Sequence, residues 1–122
     1  MTDQDIITAK ASAAKKHLAR IQNLAAVSME TFLEDVDTQD IILFNLQLAI
    51  QNCVDIAAHI VSEQGLGVPG STNEMFYTLE EHGYINRDLA EKMVKAVGLR
   101  NLIVHEYGKL DLARIHQILQ YN

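Results

Sequence analysis

The amino-acid sequence predicts an all-α fold, an antiparallel up-and-down bundle of four to five helices in a single domain that covers residues 1–122. Apolar residues recur at spacings of three and four along most of the chain, and no segment alternates like a strand over more than a few residues. Helix-capping residues and glycines separate the periodic segments. A chain of 122 residues is long enough to bury one hydrophobic core and leaves no room for a second domain.

The first two predicted helices contain much of the apolar sequence. Thr2 can cap the first helix, whose apolar side chains form one stripe. Asp37 or Thr38 can cap the second helix, which we expect at about residues 39–63. This second helix is apolar around most of its circumference, so we expect it to be buried in the bundle core and also at a subunit interface.

A glycine-rich loop at residues 65–70 separates the second helix from the third. Its letters match the dinucleotide-binding pattern GxGxxG, but that pattern needs a preceding strand. Here a long helix precedes the loop and Pro69 lies inside it, so we interpret the loop as a helix connector. Ser71 and Glu74 then form a capping-box pattern for a short third helix that ends at Gly83.

Two more helices complete the predicted bundle. Asn86 can cap a fourth helix at about residues 87–107, and Gly108 can end it. Asp111 can cap a fifth helix at about residues 112–120. Helices joined in this order favour an antiparallel bundle.

Composition narrows the class of protein. The chain has 10 Lys and Arg against 16 Asp and Glu, a net charge of −6, which excludes a broad basic surface for nucleic acid. The single cysteine, Cys53, cannot form an internal disulfide and is predicted to be an inert buried thiol. The apolar stretch at residues 41–61 is interrupted by six polar residues, so we expect no membrane span. These features predict a soluble cytoplasmic protein.

The sequence does not predict a metal site. Asp55 and His59 have the spacing of a helical ligand pair, but no further ligand accompanies them in a recognisable motif. We interpret them, with Gln51 and Glu63, as a polar stripe along the second helix.

The segment 100–108 is more informative, because it concentrates polar groups capable of phosphate chemistry near one helix end. Asn101 and His105 fall on one stripe, and Arg100 and Tyr107 fall on a neighbouring stripe two turns apart. On a straight helix, however, Arg100 and His105 point about 140° apart and lie about 7.5 Å apart along the axis. A helix bend, the long arginine side chain or a second subunit must bring them together, and we favour a symmetric dimer.

The residue types themselves suggest a reaction. A histidine that titrates near neutrality can move the proton of a ribose hydroxyl or a leaving oxygen, and a guanidinium can hold the charge that builds on phosphorus. Together they fit metal-free cleavage of RNA by its own 2′-hydroxyl. Spacing alone leaves a second interpretation open, in which these are ordinary solvated or half-buried residues at a helix end.

The same residues carry a resemblance to a known family. Arg100, His105 and Tyr107 read Arg-x-x-x-x-His-x-Tyr, the signature of HepT-like toxins in the HEPN superfamily of small all-helical proteins. Residues 40–57 resemble the second helix of that family, and the likeness extends over about residues 5–112. The predicted bundle is therefore HEPN-like.

The resemblance implies an activity and roles for individual residues. HepT-like proteins are ribonuclease toxins of type VII toxin-antitoxin modules and work as homodimers without a metal. Carried over by position, Arg100 and His105 would be the catalytic residues, and Asn101 would be their polar companion. The RNA itself would be the substrate.

The resemblance also implies a partner protein. The antitoxin would be a minimal nucleotidyltransferase similar to MntA, which uses ATP to attach AMP to the motif tyrosine, here Tyr107. This chain would then need no cofactor of its own.

Four further residues are candidates for supporting roles. Gln51 and Asp55 on the second helix are candidates for lining the cleft, and Lys92 and Lys95 are candidates for assisting RNA contact.

A non-enzymatic function remains an alternative at this point. The chain would then be a non-catalytic helical partner of a minimal nucleotidyltransferase, or a module that presents a nucleotide to it. Tight binding to that partner without RNA cleavage would distinguish this alternative from a nuclease.

Overall fold

Six α-helices and one 3₁₀ turn are present in the computed structural model, which describes residues 3–24 and 26–121. No strand occurs in these ranges, so the predicted all-α class is confirmed. The elements in chain order are α1 (Asp3–Leu24), α2 (Met29–Glu34), α3 (Val36–Glu63), α4 (Thr72–Glu81), α5 (Arg87–His105), the 3₁₀ turn (Tyr107–Lys109) and α6 (Leu112–Tyr121).

Three predicted caps and one predicted helix end are confirmed. Ser71, Asn86 and Asp111 each accept a hydrogen bond from the backbone N–H three residues further on, at 3.1, 2.8 and 3.1 Å. Gly83 has a φ of +80°, a left-handed conformation that lets the chain turn away after α4. The predicted cap of the first helix, Thr2, lies outside the described residues.

The start of α3 differs from the prediction, because a short helix precedes it where the sequence suggested a break. α2 has only six residues, too few for a periodic pattern to be recognised. Asp35 alone joins α2 to α3, and its carboxylate accepts hydrogen bonds from the Thr38 N–H at 3.2 Å and hydroxyl at 2.7 Å. The expected caps Asp37 and Thr38 therefore lie inside the first turn of α3, and α2 is the additional helix of the described chain.

The end of α5 also differs from the predicted limit at residue 107. Glu106 leaves the helical conformation, with φ −137° and ψ 39°, although its N–H still donates to the Leu102 carbonyl at 2.8 Å. Tyr107 then begins the 3₁₀ turn. As a result, Tyr107 is no longer held by the geometry of α5 and its side chain can reach α3.

α3 is the central helix of the fold. It packs against α1, α2, α4 and α5. Lys10 contacts Asp55 and His17 contacts Asn45, so α1 and α3 run antiparallel. This packing supports α3 on several sides.

Two apolar clusters divide the core, and α3 contributes to both. One joins the C-terminal half of α3 to α4 and the first half of α5, and the other joins its N-terminal half to α1, α2, α6 and the end of α5. Leu46 packs against both clusters. Phe32, Ile42 and Leu43 are completely buried in the second cluster, which therefore fixes the part of α3 that lies nearest to Tyr107.

Length and composition alone would allow α3 to cross a membrane, and the core helix of a soluble protein meets the same criteria. Its neighbours α1 and α5 contribute polar contacts along its length. These polar contacts and the two apolar clusters indicate that α3 is the central helix of a bundle.

Candidate active site

One face of α3 carries the polar groups that meet the predicted catalytic segment. Asp40, Gln47, Gln51 and Asp55 are the polar members of this face, and the aromatic Phe44 lies among them, so that the five residues recur at spacings of four, three, four and four. Side chains at these spacings fall within about 80° of one another around a helix axis. α5 and the 3₁₀ turn pass over this face in the antiparallel sense.

The Arg100 guanidinium lies half-buried against this face. Its Nη1 donates a hydrogen bond to Gln51 Oε1 at 2.7 Å, and its Nε is buried without a hydrogen-bond partner. No carboxylate in the described part of the chain forms an ion pair with it. Because a partly buried cation is costly without a counter-charge, Arg100 holds a positive charge that suits an anionic ligand.

Hydrogen bonds continue from Gln51 to α1. Gln51 Nε2 donates to Asp55 Oδ1 at 2.9 Å, and Lys10 Nζ donates to Asp55 Oδ2 at 3.0 Å. Burial opposes ionisation of Asp55, but the hydrogen bonds from Gln51 and Lys10 outweigh it and lower the pKa of the carboxyl. Since Asp55 accepts from the amide nitrogen of Gln51, the amide oxygen is turned towards Arg100.

His105 and Asn101 lie elsewhere on α5. Both are exposed, and neither forms a side-chain hydrogen bond with another residue in the described ranges. Five residues of α-helix separate the directions of Arg100 and His105 by about 140°. Within one chain, the structure therefore joins Arg100 to Gln51 and leaves His105 facing solvent.

Tyr107 makes a different contact. Its phenol O–H donates a hydrogen bond to the Asp40 carboxylate. Burial raises the pKa of Tyr107 to about 12, with further contributions from the hydrogen bond to Asp40 and from the charge of Asp40. The two residues line an open groove of about 520 Å³, together with Ile41, Phe44, Gln47 and Ile103.

Sequence reasoning missed Asp40. Its contact with Tyr107 joins residues that are 67 positions apart in the chain. Asp40 also lies at the very start of the predicted second helix, one residue after its expected first residue. The signal that could have found it is its spacing, because it lies on the same face of α3 as Gln51 and Asp55.

The other predicted features lie away from this face or carry no ligand set. Cys53 is only partly buried, which differs from the predicted buried thiol, although burial still raises its pKa and so disfavours the reactive thiolate. Among the residues that the structure describes, no three His, Cys, Asp or Glu side chains converge as metal ligands would. Residues 65–70 lie between the end of α3 and Ser71, the cap of α4, and they form the helix connector that the sequence predicted.

A comparison with protein families decides the class. The family model described as "Ribonuclease HepT-like" matches residues 14–122. The chain belongs to the HepT-like ribonuclease family. The resemblance inferred from the spacing of Arg100, His105 and Tyr107 is thereby confirmed.

Two proteins named as HepT nucleases are similar over most of this chain. The mRNA nuclease HepT of Shewanella oneidensis is 36% identical over 118 residues, which are 97% of this chain and 88% of that protein. The tRNA nuclease HepT of Aphanizomenon flos-aquae is 30% identical over 105 residues, covering 86% of this chain and 69% of that protein.

Solved structures of the same family have the same fold. The tri-AMPylated Shewanella oneidensis HEPN toxin in complex with MNT antitoxin superposes with a TM-score of 0.89 at 35% identity, over 100% of this chain and 90% of that one. A toxin-antitoxin crystal structure with AMP-PNP gives a TM-score of 0.88 at 35% identity, over 95% of this chain and 87% of that one. The HEPN-like character of the bundle is therefore confirmed.

Proposed function

We propose that this chain is the RNA-cleaving toxin of a toxin-antitoxin pair and that Arg100 and His105 carry out the cleavage. The observation that carries the proposal is Arg100, a half-buried guanidinium held by the neutral Gln51 amide and free of any ion pair in the described residues. Family membership and the nuclease names of two relatives support it.

In the proposed reaction, the 2′-hydroxyl of a ribose attacks the adjacent phosphorus and displaces the 5′-oxygen of the next nucleotide. His105 takes the proton from the hydroxyl or returns one to the leaving oxygen. Arg100 holds the negative charge that increases on the phosphoryl oxygens, and Asn101 assists as the polar neighbour of His105. An imidazole and a guanidinium supply both functions, so the proposed mechanism uses no metal and no cofactor of this chain.

We also propose that the chain acts as a homodimer. Helix geometry directs Arg100 and His105 apart within one chain, so a second copy is the simplest way to complete the pair. Exposed apolar side chains beside the site support such an interface, since Ile41 and Phe44 on α3 remain 45% and 58% exposed. The surface next to Tyr107 is therefore suited to contact with another chain.

Neutralisation is proposed to occur at Tyr107. A similar toxin is AMPylated and bound to an MNT antitoxin, and a related toxin-antitoxin structure contains AMP-PNP. We propose that a nucleotidyltransferase of this type uses ATP to attach AMP to Tyr107 in the cytoplasm. The added AMP would fill the groove beside Tyr107 and would place negative charge on the surface that RNA must approach.

The test is a cleavage assay with purified protein and single-stranded RNA in the presence of EDTA. Arg100→Ala and His105→Ala should each lower the cleavage rate about 100-fold or more, because each removes a group that acts in the transition state. Expression of either variant should also relieve the growth arrest caused by the parent chain.

Arg114→Ala and His82→Ala are matched controls, because both residues are exposed and lie away from the site. They should cleave RNA at the parent rate. If the double variant Arg100→Ala/His105→Ala cleaves RNA as fast as the parent, the assignment is wrong. Absence of cleavage by the parent, with tight binding to the nucleotidyltransferase, would favour the non-catalytic alternative.

A further inference from the structure

The proposed modification of Tyr107 requires the loss of a proton. The phenol oxygen forms a bond to the α-phosphorus of ATP, the bond from that phosphorus to the bridging oxygen breaks, and pyrophosphate leaves. With a pKa of about 12 for Tyr107, only about one phenol in 10⁵ is ionised at pH 7. The proton must therefore pass to a base while the new bond forms.

Asp40 lies where such a base is needed. Its carboxylate accepts the hydrogen bond of the Tyr107 hydroxyl, the atom that would attack phosphorus. Among the residues that line the groove in the described chain, Asp40 is the one carboxylate. Glu106 and Lys109 flank Tyr107 on its own segment and His105 ends α5, but the charge that acts on Tyr107 is that of Asp40.

We propose that Asp40 is the general base for AMP transfer to Tyr107 and accepts the phenol proton as the oxygen attacks the α-phosphorus. This inference rests on the proposed modification of Tyr107. Proton transfer neutralises Asp40 while the oxygen bonds to phosphorus, so a carboxylate and a full phenolate never face each other. Tyr107 itself remains 44% exposed at the edge of the Ile41–Phe44 surface, so a nucleotide can reach its side chain.

The decisive variant is Asp40→Asn. The amide oxygen can still accept the hydrogen bond of Tyr107, but the amide cannot take the proton. AMP addition is measured by intact mass in single-turnover reactions with purified nucleotidyltransferase antitoxin, ATP and Mg²⁺. We expect the rate for Asp40→Asn to fall about 100-fold or more at pH 7.

Asp37→Asn is the matched control, because it removes an exposed carboxylate from the first turn of the same helix. It should be modified at the parent rate. Thermal unfolding of each variant verifies that the fold is retained. A parent-like rate of AMP addition to Asp40→Asn would overturn the proposal.

The pH dependence separates proton transfer from a purely electrostatic effect. The rate for Asp40→Asn is divided by the parent rate at each pH. Because the same nucleotidyltransferase acts on both proteins, its own pH dependence affects both rates equally and drops out of this ratio. Between pH 6 and pH 9 this ratio should rise about tenfold per pH unit, because the variant depends on the rare phenolate. If Asp40 acted through its charge alone, its removal would ease ionisation of Tyr107 and the variant would react faster than the parent.

The parent chain and Tyr107→Phe distinguish failure of this inference from failure of the modification. Addition to the parent that Tyr107→Phe abolishes supports the modification. No addition to the parent contradicts the modification itself. Addition to the parent at a rate that Asp40→Asn matches contradicts only the role of Asp40.

Discussion

At the scale of single residues, Arg100 is held by a neutral partner in a chain with more acidic than basic side chains. The Gln51 oxygen accepts a hydrogen bond and so positions the guanidinium without cancelling its charge. A carboxylate in the same position would form an ion pair that an incoming phosphate would have to displace. Under the proposed function, the residue type at position 51 therefore sets how strongly Arg100 can attract RNA.

Gln51→Glu should raise the KM for RNA cleavage about tenfold, which corresponds to about 1.4 kcal/mol, with a smaller change in kcat. The new carboxylate would pair with Arg100 and would also repel Asp55. Steady-state cleavage of a short RNA measures the effect. Gln22→Glu adds the same charge at an exposed position of α1 and is the control. Equal KM values for these two variants would exclude the proposed role of Gln51.

At the scale of secondary-structure elements, α3 connects the segment with the proposed catalytic residues to α1. The Lys10–Asp55 ion pair joins α1 to α3, and its side chains are 38% and 32% exposed. A partly exposed pair of this kind contributes about 0.2–1 kcal/mol to the free energy of unfolding. Folding lowers the pKa of Asp55 below its value of 3.8 in the unfolded chain. The contribution of the ion pair is therefore fully present above about pH 4, and it is lost as the pH falls through the pKa of Asp55 in the folded protein.

Asp55→Asn should therefore lower the free energy of unfolding by about 0.5 kcal/mol at pH 7, and this effect should shrink as the pH falls below about 4 and the parent carboxyl becomes protonated. Urea unfolding at pH 7 and at a series of pH values below 4 measures this change. Lys10→Ala and the double variant complete a double-mutant cycle. A coupling free energy of zero at pH 7 would contradict the contribution of the pair.

Local signals were sufficient to predict most helices. Ser71, Asn86 and Asp111 are short polar side chains just before apolar periodic segments, and each caps its helix. α2 was not predicted because six residues cannot display a helical period, and because its stability depends on Phe32, which is completely buried by distant parts of the chain. Burial of that kind is not visible in a local pattern.

Part of the candidate site was also predictable. The motif spacing placed Arg100 and Tyr107 on one side of their helix, and both contact α3, while Gln51 and Asp55 were identified as candidate cleft residues. The Asp40 contact was not predicted, because it depends on where α5 ends and on how two distant helices are aligned. The shift of Tyr107 into a 3₁₀ turn is a tertiary effect that helix periodicity alone does not predict.

At the scale of the whole molecule, positive charge near the site is scarce. The net charge is −6. Lys92, a candidate for assisting RNA contact, is paired with Asp88 at 3.1 Å, whereas Lys95 is exposed one turn further along α5. RNA contact should therefore depend on a few localised cations rather than on an extended basic surface.

The salt dependence of cleavage should be shallow for a nucleic-acid enzyme. Each phosphate contact to single-stranded RNA contributes about −0.7 to the slope of log(kcat/KM) against log[salt], so two contacts give a slope of about −1.4. Cleavage of a short RNA at several KCl concentrations measures the slope. Lys95→Ala should make it shallower if this lysine contacts RNA. A slope steeper than about −4 would require an extended basic surface and would contradict this view.

The packing of α6 has a consequence for biosynthesis. His116 on α6 bonds to the Val27 carbonyl at 2.8 Å, and its ring lies 5.4 Å from that of Phe32 on α2. Ile115 completes the same cluster as Ile42 of α3. Because these contacts join residues made early in translation to residues made late, the core beneath Tyr107 is incomplete on a nascent chain until α6 has left the ribosome. A growing polypeptide therefore lacks full support for the Asp40 end of the α3 face, which Tyr107 contacts, until α6 has been made.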